Sequence, residues 1–225
     1  MIYFFADNHY QAHPGLSLYK QIVDDDKIKF YEDDWSAMES FADDCDLLIL
    51  NLIGGTCDIA HPNKNAEAEI KKYLQSGKPM LLLHGSSAAF SEWSWWRKIV
   101  GYRWVRPNDP EGIEASFHPV RPYKLLKTDS RHPLMTQLKE VEISHEDEIY
   151  MGLQEVCPTE VLMTISTDEG TAPQVLTHKS PWDGIIHTFI PGHRKETLEH
   201  PNIFRNIKVL IEDLIKTSKQ ISTPR

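Results

Sequence analysis

The sequence predicts an α/β fold built on a doubly wound, mainly parallel sheet, with antiparallel strands added in the C-terminal half. Three observations carry this expectation. Strand and helix patterns alternate from residue 1 to about residue 100, the order of right-handed βαβ crossovers. The run Asp46-Leu-Leu-Ile-Leu-Asn-Leu-Ile53 is apolar on both faces, as a central parallel strand must be. After Gly101 the helical patterns give way to a succession of β-type runs, the mark of an added antiparallel section.

Each element has its local reason. Ile2–Ala6 is a short apolar strand emptying into the polar loop Asp-Asn-His-Tyr-Gln-Ala-His-Pro-Gly. His13-Pro14 opens a helix carrying Leu16, Leu18, Tyr19, Ile22 and Val23, and a short strand follows around Lys27–Tyr31. Asp33 or Asp34 is placed to cap a further helix through Met38 and Phe41. The strand at Asp46–Ile53 ends on Gly54-Gly55. Asn63–Ser76 repeats apolar residues at helical spacing, and Gly77 stops that helix in the left-handed conformation glycine takes cheaply. Lys78-Pro79 leads into the strand Met80–Leu83, and a helix is expected from Ser91-Glu92-Trp93. Later β-type runs are Val120–Lys127, Val141–Ile149, Val161–Ser166, Gln174–Thr177 and Ile185–Ile190. Phe204–Ile215 is a closing amphipathic helix, and Thr217–Arg225 a frayed tail.

With 225 residues, 40% hydrophobic, 25% charged and a formal charge of −9, the chain fits one globular domain over residues 1–225 with an acidic surface. That charge argues against nucleic acid as a partner, since phosphate neutralisation needs clustered Lys and Arg. No apolar run is long enough to span a membrane and the start does not resemble a secretion signal, so a cytoplasmic location is expected. Cys45, Cys57 and Cys157 have neither metal-type spacing nor an even count, which suggests reduced thiols, mostly buried. No nucleotide-binding motif is present.

The chemistry concentrates around Leu81-Leu-Leu-His-Gly-Ser-Ser87, where a strand delivers His84 into a tight turn at its carboxyl end, the edge where α/β sheets bind ligands. Ser86 and Ser87 lack the glycines of a Gly-x-Ser-x-Gly elbow, which weakens a serine-hydrolase reading, and no cysteine stands at the turn. Companions come late in the chain. Ile185–Gly192 delivers His193 into a Pro-Gly turn, and His145-Glu-Asp-Glu-Ile-Tyr150 offers Glu146, Asp147 and Glu148; strand alternation sets Glu146 and Glu148 on one face and Asp147 on the other. His118 and His132 each precede proline. Trp93, Trp95, Trp96 and Trp104 crowd the region after the turn; indole faces suit the apolar C–H faces of sugars, but such residues are commonly core. Zinc needs three ligands and an open position. His9 and His13 are four apart but in a loop, while a site assembled from His84, His118, His145 or His193 is left open by the sequence.

Taken in order, the loop His13, the Leu83-His84-Gly85-Ser86 turn, Trp95-Trp96, Phe117-His118-Pro119, Glu146–Tyr150 and the final Pro-Gly-His193 resemble the ThuA-like, trehalose-utilisation family over about residues 1–215. The resemblance implies a class I glutamine amidotransferase-like fold, a flavodoxin-like three-layer arrangement, with His84 at the former nucleophile elbow and no amidotransferase activity because the thiol is missing. It also implies a role in carbohydrate use, with a disaccharide or keto-sugar as the small-molecule partner. Gly85 and the long polar segment Tyr102–Ser116 depart from the family pattern.

On this reading His84 and His193 act as acid/base or polarising groups and Glu148 or Asp147 orients or charges one of them. His13, His118, His145 and Ser86 line the substrate site, and Trp95 forms its stacking wall. A divalent metal such as zinc would take the histidines as ligands and leave proton transfer to a carboxylate. The rival expectation is a non-catalytic sugar-binding or regulatory module on the same fold; assembly into a homo-oligomer is left open.

Overall fold

The computed structural model describes residues 1–22, 27–56 and 59–221. Val23, Cys57 and the end of the tail at 222–225 lie outside the described residues.

The chain runs through β1 (Ile2–Ala6), α1 (Pro14–Ile22), β2 (Ile28–Glu32), β3 (Leu47–Asn51), α2 (Lys64–Gln75) and β4 (Met80–Leu83). Asn63 caps α2 by accepting the N–H groups of Asn65 and Ala66, and Gly77 follows at φ 73°. The second half holds β5 (Tyr102–Arg103), β6 (Val120–Lys127), β7 (Val141–Glu148), β8 (Gln154–Glu155), β9 (Glu160–Thr167), β10 (Gly170–Lys179) and β11 (Ile185–Phe189). A short α3 (Lys195–Leu198) and a long α4 (Pro201–Ile221) close it.

Nine strands form one sheet in the order β2-β1-β3-β4-β11-β10-β9-β6-β7. Pairings from β2 to β11 are parallel, and those from β11 through β10, β9 and β6 to β7 are antiparallel. Four reversals return β7 to the direction of β11, so the carboxyl ends of β1, β3, β4, β11 and β7 share one rim.

Alternation splits the core into two layers. Phe4, Leu47, Ile49, Leu81, Leu83 and Phe189 face Leu18 of α1 and Ile207, Leu210 and Leu214 of α4. Tyr3, Phe5, Leu48, Leu50 and Leu82 face Ile70, Tyr73 and Leu74 of α2 together with Trp93 and Trp96. Each fully buried aliphatic or aromatic side chain contributes roughly 1.5–3 kcal/mol. Helices on both faces make the three-layer sandwich expected of the doubly wound fold. Cys45 is buried in the second layer, where loss of solvation pushes its thiol up to about 12; Cys157 is half-buried.

Two expected helices are absent. Asp34 does accept the N–H groups of Ser36 and Ala37, but only a 3-10 turn over Ala37–Glu39 follows, because Met38, Phe41 and Ala42 must drop into the core before β3 begins. After the His84 turn the chain makes tight turns and a 3-10 segment at Trp96–Lys98. Phe90 takes φ 52°, which no α-helix accommodates, and its ring stacks on Trp93 at 4.0 Å. At the other extreme, α4 stays helical past Thr217, through Ile221.

The β6–β7 pairing carries a local irregularity. Arg121 pairs with Asp147 and Tyr123 with Ile143, so three residues of β7, Ser144 to Glu146, stand against Pro122 alone. Proline has no N–H to give the ladder, and the bulge forms where that bond is missing.

Candidate active site

His84 begins a 3-10 turn over His84–Ser87 directly after β4, with φ 46° in the left-handed region that side chains rarely occupy. Its ring is buried, and Nδ1 donates to the carbonyl of Ile190 at 3.0 Å, which leaves Nε2 as a lone-pair site. Nε2 lies 3.2 Å from His193 Nδ1, 3.4 Å from Tyr150 Oη and 3.7 Å from Glu148 Oε2. His193 Nδ1 lies 3.3 Å from the same Glu148 oxygen, and the other, Oε1, is 3.2 Å from His118 Nδ1. His84, His193 and Glu148 thus each bring one candidate ligand atom to a common point, all within 4.8 Å of one another.

Each member is held by a different element. His193 follows β11, and the N–H groups of the residues on either side of it are held by fully buried Asp147, whose Oδ2 accepts Gly192 N–H at 3.3 Å and whose Oδ1 accepts Arg194 N–H at 2.9 Å. Tyr123 Oη donates to Asp147 at 3.0 Å; burial and that carboxylate hold its phenol well above the usual range, so it stays a donor. Behind His84 stands a buried pair at the end of β1: His9 Nδ1 contacts Asp7 Oδ1 at 2.5 Å, Asp7 Oδ2 accepts Ile53 N–H at 2.7 Å, and the His9 and His84 rings stack 6.2 Å apart. Burial first, then the His193 and His9 rings, hold the His84 imidazole well below the ordinary histidine range, against the pull of the Ile190 carbonyl. Burial also lowers His193, with Glu148 and Asp147 opposing. His84 is therefore neutral near pH 7.

Of the residues singled out in the sequence, the fold brings His84, His193, Glu148 and His118 together, with Asp147 bracing the His193 turn. The others sit elsewhere. Ser86 is buried; its one hydroxyl proton is shared between the carbonyls of Leu50 and Leu83, both at 2.8 Å, and its oxygen accepts Leu52 N–H, so the hydroxyl is consumed in tying β3 to the turn. That arrangement also removes it as a nucleophile. Trp95 donates to Glu67 of α2 at 2.7 Å and lies under Lys71, on the α2 side of the sheet. His145 falls in the β7 bulge and contacts Thr197 Oγ1 of α3 at 2.7 Å. His13 pairs with Glu32 Oε2 at 2.6 Å and lines a separate recess with Lys20 and Glu199. Glu146 is exposed, near Arg194.

The indole beside the group is Trp104, with centroids 4.7 Å from Tyr150 and 5.6 Å from His118. Tyr150 and Trp104 were within reach of the sequence as the end of the Glu-Asp-Glu-x-Tyr motif and as one of the crowded tryptophans. The Asp7–His9 support carried only the signal of two polar residues just past a strand end.

Comparison with known families matches residues 3–209 to ThuA, described as trehalose utilisation. The chain belongs to the ThuA family. Among solved structures it is similar to a ThuA-like protein from Parabacteroides merdae, at 16% identity and TM-score 0.72, covering 99% of this chain and 90% of that one. A ThuA-like protein from Bacteroides uniformis gives 14%, 0.70, 95% and 91%. A cytoplasmic protein from Salmonella typhimurium gives 12%, 0.64, 95% and 99%. Likeness at this identity speaks for the fold. No curated protein matches the chain in sequence. Among the described residues, no helix is long and apolar enough to cross a membrane.

Both departures from the ThuA pattern have structural reasons. A Cβ at Gly85 would stand 2.4 Å from Ile53 Cγ2 and 3.2 Å from Tyr150 Oη, so glycine is what lets Tyr150 close over His84. The polar segment Tyr102–Ser116 folds onto buried Arg103, which pairs with Asp109 at 2.7 Å and Glu111 at 3.1 Å and donates to Gln154 at 2.6 Å. Those contacts anchor β5 against β8 and set Trp104, the next residue, beside His118.

Proposed function

We propose that this ThuA-family protein is a cytoplasmic enzyme of carbohydrate utilisation that acts on a sugar or keto-sugar derivative at the His84–His193–Glu148 group. The observation that carries the reading is the convergence of two imidazole nitrogens and a carboxylate oxygen, each delivered by its own strand end to one point. Burial keeps His84 neutral with a lone pair on Nε2, the form that accepts a proton from, or polarises, an oxygen substituent. Glu148 orients His193 and His118 at once, one carboxylate oxygen to each.

The family description, trehalose utilisation, supports the substrate class. Trp104 supplies an indole face for the apolar side of a sugar ring, and His118, its side chain 53% exposed, reaches the accessible side. Glutamine hydrolysis lies outside this chemistry, since the elbow carries an imidazole where a thioester requires a thiol.

Turnover of a panel of unmodified and 3-keto disaccharides, compared between wild type, His84→Ala and His193→Ala, tests the proposal. Loss of an acid/base group lowers kcat/KM by roughly a hundredfold or more. Turnover of no sugar in the panel, or activity indifferent to both substitutions, sinks it.

A further inference from the structure

Three side-chain atoms of metal-ligand type converge on one point in this group. We infer that His84 Nε2, His193 Nδ1 and Glu148 Oε2 ligate a single divalent transition-metal ion of the zinc class, with a coordination position left toward the accessible side. The inference deepens the reaction centre proposed above: it rests on that reading for what the ion acts upon, and it turns the His84 lone pair from proton acceptor to metal ligand.

Geometry is the first support. Ligand atoms 2.0–2.1 Å from a tetrahedral ion stand about 3.4 Å from each other, and the three separations here are 3.2, 3.3 and 3.7 Å. Hydrogen bonding alone serves the same atoms poorly. The His84 ring proton is committed to Ile190, so Nε2 has only its lone pair, and 3.7 Å is too long for a hydrogen bond to Glu148. His193 Nδ1 carries at most one proton and faces two acceptors at almost equal distance. Tyr150 Oη can donate to Nε2 only through a long bond of 3.4 Å.

Support outside the three ligands is the second argument. Metal-bound imidazoles and carboxylates are usually fixed by outer hydrogen bonds. The Ile190 carbonyl fixes the His84 tautomer, His118 Nδ1 contacts the second Glu148 oxygen, and Asp147 holds the N–H groups of Gly192 and Arg194, the neighbours of His193. Two imidazoles and one carboxylate favour zinc, or iron in its divalent state, over magnesium or calcium, which prefer all-oxygen sites. Three protein ligands leave room for an exogenous oxygen, and the side chains of His193 and Glu148 retain 22% and 13% exposure to admit one. A sugar carbonyl or a pair of adjacent hydroxyls fits that position, where the ion acts as a Lewis acid. Proton transfer then falls to His118.

The test uses the full chain stripped with a chelator and titrated with zinc chloride by calorimetry, with elemental analysis after dialysis. One zinc per chain is expected, with affinity lowered roughly tenfold or more in Glu148→Gln and in His193→Ala. His13→Ala, which removes a histidine paired with Glu32 instead, should bind as wild type does. Circular dichroism verifies that the variants are folded, and Glu148→Gln, nearly isosteric, serves if His193→Ala is not. No zinc on the wild type, or affinity unchanged in both ligand variants, overturns the inference. Zinc bound with these sensitivities but no sugar turned over leaves the metal centre standing and removes the substrate reading. Turnover that survives chelation without zinc does the reverse.

Discussion

Asp147→Asn replaces one atom in a carboxylate that no solvent reaches, and the structure says what that should do. Three donors converge on it: Tyr123 Oη at 3.0 Å, Gly192 N–H at 3.3 Å and Arg194 N–H at 2.9 Å. A carboxylate accepts all three, whereas an amide has one oxygen. If that oxygen keeps Tyr123 and Gly192, the NH2 group faces the Arg194 N–H; if it turns to Arg194, two donors are stranded. At least one charge-assisted bond is lost either way, at about 1.5–3 kcal/mol. For a domain of this size each kcal/mol shifts Tm by about 2–4 °C, so a fall of roughly 3–12 °C is expected in thermal unfolding followed by circular dichroism. Because the clamp holds the neighbours of His193 on both sides, kcat/KM on the sugar substrate should fall as well, while Tyr123→Phe, which removes one donor and leaves the backbone clamp intact, should cost about 1.5–3 kcal/mol and little activity. The double variant should show coupling of at least about 0.5 kcal/mol, since both residues share one network. An Asp147→Asn protein with wild-type Tm and activity would refute the argument that this carboxylate positions His193.

Gly85→Ala should destabilise the protein by about 1–3 kcal/mol in urea unfolding, because the new methyl group meets Ile53 at 2.4 Å within a packed core. Trp104→Ala should raise KM for a sugar with little change in Tm; Trp95→Ala, which loses the bond to Glu67, should do the opposite. Stability should decline as pH falls below about 6.5, the ordinary histidine value. Burial lowers His178 and His187 in the folded chain, so below that pH the unfolded state takes up protons the folded state refuses, and each contributes a slope of about 1.4 kcal/mol per pH unit until its folded pKa is reached. Above pH 6.5 both states are neutral and the contribution is flat. Urea unfolding of His178→Gln/His187→Gln should show a shallower acid slope; an unchanged slope would contradict the assignment.

The parallel half was legible because its inner strands β1, β3 and β4 are buried on both faces and end at Gly, Pro or polar clusters, signals that tertiary contacts do not overrule. Val120–Lys127 was read with the bounds it has. His84, His193 and Glu148 could be nominated as strand-end residues, but their meeting depends on the parity of four antiparallel pairings, which no local pattern encodes. Trp95 lies on Glu67 and the Ser86 hydroxyl is tied to the backbone of β3, and the positive φ at Phe90, which stops the expected helix, is a consequence of ring packing that periodicity does not reveal. His145 was misplaced for a different reason: Pro122 lies on the neighbouring strand, so the bulge it provokes is invisible from the sequence of β7 itself. The polarity of Tyr102–Ser116 read as surface, although buried Arg103 gathers Asp109 and Glu111 around it.

β11 is bonded in parallel to β4 on one side and antiparallel to β10 on the other. His84 belongs to the first half of the chain, Glu148 arrives across the antiparallel half, and His193 leaves the strand that joins them. A fragment ending before β6 owns one of the three groups and a fragment beginning there owns two. Assembly of the centre is thus a built-in checkpoint on the finished sheet, passed only when the last strand inserted by the chain has taken its place in the middle.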